Sequence, residues 1–391
     1  MHYATATETF DQLFIQGVAL HKTAPEKALL FFKQALSLNP QSTETLYNIA
    51  YVLKNMGRAH ESLEYYNKVI AQEPDNTGAH IGRAQAHLMV GNYTQGWQDL
   101  EWRLGGPYSY TQECARYLLH NQSLRNKKIL LRAEWGIGDT LMFIRYAQLF
   151  HEQGAYVMVH LIHESLVPLL RAQPYIDEVF GPDQPAPAFH LQVPMISLPI
   201  VFGTTLENMA WRIPYICVDN RLQTYWKNYL THDNSIKIGI CWHGNTIHSS
   251  EKFIPLWHIA HLANMPGISL YSLQKKHGLE QLADQSFAKT IKLLPDFVDQ
   301  TPFLDTAAIM KNLDLVITVD TSIAHLAGAL GIPVWVVLPH IADWRWMQSR
   351  TDSPWYPTMK LFRQSSQDNW TTVIDAMCLS LKQTFTQLNI F

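Results

Sequence analysis

The sequence predicts a short helical solenoid followed by two α/β halves with parallel sheets, and three observations carry this prediction. The first hundred residues repeat at a period of 34, with Pro40 and Pro74 one period apart. From Lys127 the pattern changes to short apolar runs alternating with amphipathic segments, as expected of strands joined by crossover helices. The same pattern restarts at Lys237, after a stretch from Asp219 to Asn234 that joins the halves. The expected boundaries are 1–104 for the helical repeats, 105–126 for a linker, 127–220 for the first α/β domain and 235–391 for the second. The C-terminal helix either stays on the second domain or crosses back to the first.

Within the repeats, Ala28, Ser62 and Gly96 fall in one column, and Phe32, Tyr66 and Leu100 in another. A small residue there lets two antiparallel helices approach, and a large one fills the space between them. These columns resemble the tetratricopeptide repeat. The third unit lacks the closing proline and drifts into Gly96-Trp97-Gln98-Asp99-Leu100, as a terminal repeat with no successor can. The repeat register places Leu13 and Gly17, then Tyr47, Tyr51, Lys54 and Asn55, then Ile81, Gln85 and Met89 on the concave face. That face is either a groove for a peptide or partner protein, or the surface of a structural arm packed on the rest of the chain. Gly105-Gly106-Pro107 ends the array.

In the first half, Ile129 to Ala133 and Tyr156 to Leu161 read as strands, and Asp139 to Gln153 and Glu164 to Ala172 as helices. The proline-rich stretch from Pro182 to Pro199 reads as surface loop plus short edge strands. In the second half, Lys237 to Trp242, Ser269 to Gln274, Leu313 to Val319 and Pro333 to Leu338 read as strands, with a compact helix from Thr321 to Leu330. Ligands of such folds bind beyond the carboxyl ends of the strands, which directs attention to two turns.

The first turn is Trp135-Gly136-Ile137-Gly138-Asp139. Its two glycines, Gly136 and Gly138, remove side chains where the backbone must turn sharply, and Asp139 reads either as a helix N-cap or as a group that does chemistry. The third glycine of a dinucleotide fingerprint is replaced by Leu141, which argues against a nicotinamide enzyme. The second turn is Asp320-Thr321-Ser322-Ile323-Ala324-His325. Helix N–H groups, two hydroxyls and an imidazole there suit a diphosphate, while Asp320 as N-cap and His325 as a packed side chain is the structural alternative.

Composition narrows the partners. The 391 residues are 47% hydrophobic with a formal net charge of -3, too little positive charge for a protein built on nucleic-acid phosphates. Cys114, Cys217, Cys241 and Cys378 lack metal-site or redox-pair spacing, which fits free thiols in a reducing cytoplasm. No secretory leader pattern opens the chain, and no apolar run reads as a transmembrane segment, so a soluble protein is expected. There is no Asp-x-Asp pair, phosphate loop, His-Glu-x-x-His helix or Gly-x-Ser-x-Gly elbow, and no metal or resident cofactor is expected.

Gly136-Ile137-Gly138-Asp139, Lys252-Phe253-Ile254-Pro255 and Asp320-Thr321-Ser322 with His325 follow in that order across the two halves. Together they resemble the heptosyltransferases, glycosyltransferase family 9. The likeness spans roughly Lys127 to Phe391. Asp343-Trp344-Arg345-Trp346 and Ser353-Pro354-Trp355-Tyr356 are similar to a bacterial group that joins tetratricopeptide repeats to such a domain. The resemblance implies a GT-B pair of Rossmann-like domains, acceptor on the first and nucleotide-diphosphate sugar, ADP-linked in the family, on the second. It implies inversion without a metal, Asp139 as general base, and Lys252, Gln274, Lys275, Asp320, Thr321, Ser322 and His325 on the donor. A glycan or a protein hydroxyl could be the acceptor. Where the repeat-bearing group shows Arg-Ser, this chain has Lys252-Phe253, keeping the charge and losing a hydroxyl. Two other readings stand beside this one: a protein O-glycosyltransferase whose repeats read the acceptor, and a non-catalytic scaffold with a vestigial nucleotide pocket.

Overall fold

The computed structural model describes residues 3–105, 123–209, 212–231, 234–244, 253–275, 277–283, 286–294, 303–367 and 369–386. Contact density divides the chain into two compact units. The first holds the N-terminal helices together with two later segments, 199–208 and 341–349, and the second holds both α/β halves.

Among the described residues, the N-terminal part of the first unit holds six α-helices in hairpins: α1 (Tyr3–Leu20), α2 (Pro25–Leu38), α3 (Thr43–Asn55), α4 (Ala59–Gln72), α5 (Thr77–Met89) and α6 (Tyr93–Leu100). Local chemistry sets their starts. Pro25 occupies the first turn of α2, where its missing N–H costs nothing. The Ser42 hydroxyl accepts from Thr45 N–H at 3.2 Å, and the Asn76 carboxamide from Ala79 N–H at 2.9 Å, capping α3 and α5. The repeat columns form the core: Ala28, Ser62, Phe32 and Tyr66 are fully buried, and Leu100 nearly so. Gly96 belongs with them, since a Cβ there would stand 2.7 Å from Leu88.

The two returning segments complete this unit. Trp97 Nε1 donates to the Thr204 carbonyl at 3.1 Å, and the Trp97 ring meets Trp344 edge-on at 5.5 Å. Gln348 Nε2 donates to the Gly57 carbonyl in the turn between α3 and α4. Gly91 leaves room for Leu206 and Met347, each of which would stand 2.9 Å from a Cβ at that position. The atypical third repeat is therefore finished by residues from far along the chain.

The second unit contains two parallel sheets. In the first half, β1 (Lys128–Arg132), α7 (Ile137–Phe143), α8 (Ala147–Glu152), β2 (Tyr156–His160), α9 (Val167–Arg171), β3 (Glu178–Phe180) and β4 (Leu191–Pro194) give the strand order β3-β2-β1-β4. Leu130 pairs with Met158 on one side and Gln192 on the other. The helix predicted from Asp139 to Gln153 is divided by a short 3-10 turn, Ile144–Tyr146.

A helix not foreseen in the joining stretch, α10 (Asn220–Leu230), leads to the second half. There β5 (Ile236–Cys241), β6 (Ile268–Ser272), α11 (Leu304–Met310), β7 (Leu315–Val319), α12 (Ser322–Ala329), β8 (Val334–Leu338) and β9 (Met359–Arg363) give the order β6-β5-β7-β8-β9. Every residue of β7 and β8 is buried, as befits central parallel strands covered on both faces. The C-terminal helix α13 (Trp370–Thr386) stays on the second half. Its Trp370, Val373, Ile374, Met377 and Leu381 form an apolar stripe in the same core as Ile238, Trp242 and Ile317. Both halves are Rossmann-like. Among the described residues no helix is long and apolar enough to cross a membrane.

Candidate functional site

In the second half the strand order reverses between β5 and β7, so the crevice rule points to their carboxyl ends. Past β7 the chain turns through Asp320 into α12, and the Thr321 hydroxyl accepts from Ile323 N–H at 3.2 Å while lying 3.1 Å from the Thr318 hydroxyl. Thr321, not Asp320, is the N-cap, which corrects the structural alternative for Asp320. Asp320, Thr321 and Ser322 are all half-buried at the start of the helix, and the first-turn N–H groups lie beside them.

Cys241 ends β5, and Trp242 and His243 follow it. Gln274 holds this turn: its Oε1 accepts from Trp242 N–H at 3.1 Å and His243 N–H at 3.0 Å, and its Nε2 donates to the carbonyls of His243 at 3.0 Å and His277 at 2.7 Å. Both ends of the buried carboxamide are thus bonded to backbone, and Gln274 clamps the shape of the turn. Its neighbour Lys275 is half-buried. The His243 ring stacks on Phe253 at 5.5 Å, closing the turn from the other side. Burial pushes the Cys241 thiol up to about 11 against the opposing pull of Thr318 and Thr321, so this cysteine is no nucleophile near neutrality. Lys252 lies outside the described residues.

In the first half the reversal falls between β1 and β4, where Glu134 Oε2 accepts from Ile196 N–H at 3.3 Å. The glycine turn follows. Gly136 is the N-cap of α7, and Asp139, three residues on, reaches back with Oδ2 to accept Gly136 N–H at 3.0 Å. Asp139 is half of a capping box rather than the cap itself. It stays half-buried, with its carboxylate at the mouth of the turn.

The two sequence motifs meet. A Cβ on Gly138 would stand 2.8 Å from Cδ2 of the His325 imidazole and 3.4 Å from Nε2, so only glycine admits this approach of α7 to α12. His325 is buried, and its Nδ1 lies 2.9 Å from the Tyr356 hydroxyl. Around that contact the halves are stitched by a fully buried guanidinium. Arg145 donates to the carbonyls of Met142 at 2.8 Å and Trp355 at 2.9 Å and to the Tyr215 hydroxyl at 3.0 Å, with the Tyr215 and Tyr356 rings each 4.7 Å from its centre. Tyr215 in turn donates to the Leu141 carbonyl at 2.8 Å. Sequence reasoning missed Arg145, Tyr215 and the partnership of Tyr356 with His325. The available signal was a lone arginine inside the apolar run Leu141 to Tyr146.

On the repeats, Tyr47, Tyr51 and Lys54 are half-buried and Asn55 is exposed, and the Lys54 ammonium is already engaged within the unit. It donates to Gln85 Oε1 at 2.5 Å and sits 5.7 Å from the Tyr51 ring, with Asp343 of the returning segment near enough to act on its charge. Burial still dominates and brings Lys54 down to about 8. Gly17 is also misplaced by the register: it is buried, and a Cβ there would collide with Phe32 at 2.6 Å, so it belongs to the contact between α1 and α2.

Residues 43–76, spanning α3 and α4, match the model of the tetratricopeptide repeat family. They form one such repeat. Along its length the chain is similar to the protein FlbA of Caulobacter vibrioides, at 23% identity over 394 residues covering 91% of this chain. The chain spans 64% of that relative's length. Among solved structures, the chain is similar to a glycosyl transferase family 9 protein from Veillonella parvula, at 13% identity, TM-score 0.48, 68% of this chain and 90% of that one. It is also similar to the ADP-heptose lipopolysaccharide heptosyltransferase II of E. coli, at 14% identity, TM-score 0.47, 66% of this chain and 99% of that one. The assignment of two Rossmann-like halves rests on strand order and register.

Proposed function

We propose that the chain is an inverting, metal-independent glycosyltransferase that transfers a sugar from a nucleoside-diphosphate donor, ADP-linked by resemblance, to a hydroxyl of a glycan or protein in the cytoplasm. The observation that carries this reading is the packing of Gly138 on His325. It sets Asp139, the one carboxylate of the glycine turn, beside the helix whose first-turn N–H groups suit a diphosphate. The acceptor oxygen bonds to the anomeric carbon as the bond from that carbon to the diphosphate oxygen breaks. The acceptor proton passes to Asp139, and the departing diphosphate takes the electron pair, its charge held by the start of α12, Thr321, Ser322 and, by resemblance, Lys252.

The engagement of the Lys54 ammonium by Gln85, with Asp343 of the returning segment acting on its charge, supports a glycan acceptor over a polypeptide read along the whole concave face. Asp139→Asn tests the base. The amide oxygen still accepts Gly136 N–H, so folding and nucleotide affinity should persist while transfer falls by about 100-fold to 10,000-fold. Transfer at the parent rate removes Asp139 from the mechanism. Nucleotide binding without transfer or hydrolysis across a panel of sugar nucleotides would favour the non-catalytic scaffold.

A further inference from the structure

Two successive repeat boundaries carry the same site in two states, one filled and one open. Between α2 and α4 lies a groove of about 510 Å³ lined by the apolar Pro40 and Leu46, by Lys33 and Lys68, and by Gln41 and Gln72. Leu46 is buried and forms the base, both lysines are exposed, and Gln72 Nε2 donates to Gln41 Oε1 at 3.0 Å. In the 34-residue register Lys33, Pro40, Leu46 and Lys68 correspond to Asn67, Pro74, His80 and Trp102. At that second boundary the space is taken. The Trp102 ring lies flat on the His80 ring, 3.9 Å away with 5° between the planes, and His80 Nε2 is 2.8 Å from the Pro74 carbonyl. Asn67 there accepts from Arg83 at 2.8 Å. At the first boundary Lys68 stands in place of the indole, with its ammonium 5.2 Å from the Tyr65 ring.

The charge of the groove is uncompensated in the same way. Among the described residues no ion pair holds Lys33 or Lys68. Glu61, which feels the Lys33 charge, is tied to Arg58, and Glu73 accepts from Thr43 and Asn76. We propose that the groove is a docking site for an acidic peptide carrying one aromatic side chain. The ring takes, against Leu46, the place that Trp102 takes on His80, and carboxylates on either side of it reach Lys33 and Lys68. Burial of the ring supplies most of the affinity, and the exposed ion pairs select the acidic partner and speed its arrival. The groove lies between the second helices of two repeats and is lined by none of Tyr47, Tyr51 and Asn55, which the register assigns to the concave face. It would recruit its partner whether or not sugar is transferred.

The experiment is calorimetric titration of the full-length protein with the peptide Glu-Asp-Glu-Trp-Glu-Asp-Glu, blocked at both ends. The parent should bind it saturably. Alanine in place of the peptide's tryptophan should weaken binding about tenfold or more. Lys33→Gln combined with Lys68→Gln should weaken it about tenfold. Lys22→Gln combined with Lys27→Gln, exposed lysines at the opposite end of α2, should leave it unchanged. Lys68→Trp supplies the missing ring from the chain itself, and should abolish binding while helical circular dichroism and the melting temperature are kept. No saturable binding at about 1 mM peptide overturns the proposal. Equal weakening by the two lysine pairs overturns it too, since that marks diffuse attraction, as does an alanine peptide that binds like the parent peptide. Self-association of the parent that rises with concentration and is lost in Lys68→Trp would give the groove to a second copy of the chain and overturn the peptide as its occupant.

Discussion

Gly138→Ala puts a single methyl where the two halves touch. The added carbon would stand 2.8 Å from His325 Cδ2, closer than real Cβ contacts come, and His325 cannot retreat because it is buried and bound to Tyr356. Overpacking of this kind costs about 1–3 kcal/mol. Against it stands the helix preference of alanine over glycine, about 0.5–1 kcal/mol in a helix interior and less in the first turn, where Gly138 lies. The clash wins, and the net loss should be about 1–2 kcal/mol, or roughly 2–8 °C in the calorimetric transition of the second unit. Gly136→Ala is the matched control: its backbone angles suit any residue, and its Cβ would lie an ordinary 3.4 Å from Asp139 Oδ2. It should cost less than about 1 kcal/mol. In the double variant Gly138→Ala with His325→Ala the methyl has space, so the two losses should fall short of additivity by at least 0.5 kcal/mol. Losses that simply add, or a Gly138→Ala protein as stable as the parent, would refute the contact.

Gln274→Glu replaces two N–H donors by an acceptor facing the His243 and His277 carbonyls, and should lower the melting temperature by the equivalent of about 1–3 kcal/mol, read by calorimetry. Lys54 holds its proton less tightly when folded than the usual lysine value of 10.5, so folding releases a proton between pH 8 and 10.5 and the first unit should gain stability as pH rises through that window. Lys54→Met should abolish that gain in urea melts taken at several pH values; an unchanged slope would mean that the amine is solvated. Cys217 is exposed and Cys241 buried with a raised thiol, so iodoacetamide at pH 8 should modify Cys217 and spare Cys241 in the native protein, as followed by peptide mass spectrometry.

What could be read from the sequence was what depends on neighbours along the chain. The 34-residue columns, the apolar strands through Leu315–Val319 and Val334–Leu338, and the two turns ending in Asp139 and Thr321 are all local patterns. The strand Met359–Arg363 is not legible as an apolar run, because the exposed Lys360 interrupts it, as an edge strand allows. The larger errors concern partners distant in sequence. Nothing near Gln274 announces that its amide is used by the backbone of Trp242 and His243 beyond another strand, and nothing near Lys54 announces Asp343. Gly138 was singled out for freedom of the turn, while the contact that requires it comes from His325 in the other half.

The return of segments 199–208 and 341–349 to the helical array has a consequence for biosynthesis. Gly57 and its partner Gln348 are separated by 291 residues. At a synthesis rate of about 5–20 residues per second, the array waits roughly 15–60 s for its last segment. During that interval Trp97 lacks both the carbonyl of Thr204, for part of the time, and the ring of Trp344 throughout. The nascent chain therefore carries an unfinished apolar edge at its third repeat until nearly all of the second unit has been made, and that edge is where a ribosome-associated chaperone would be expected to bind.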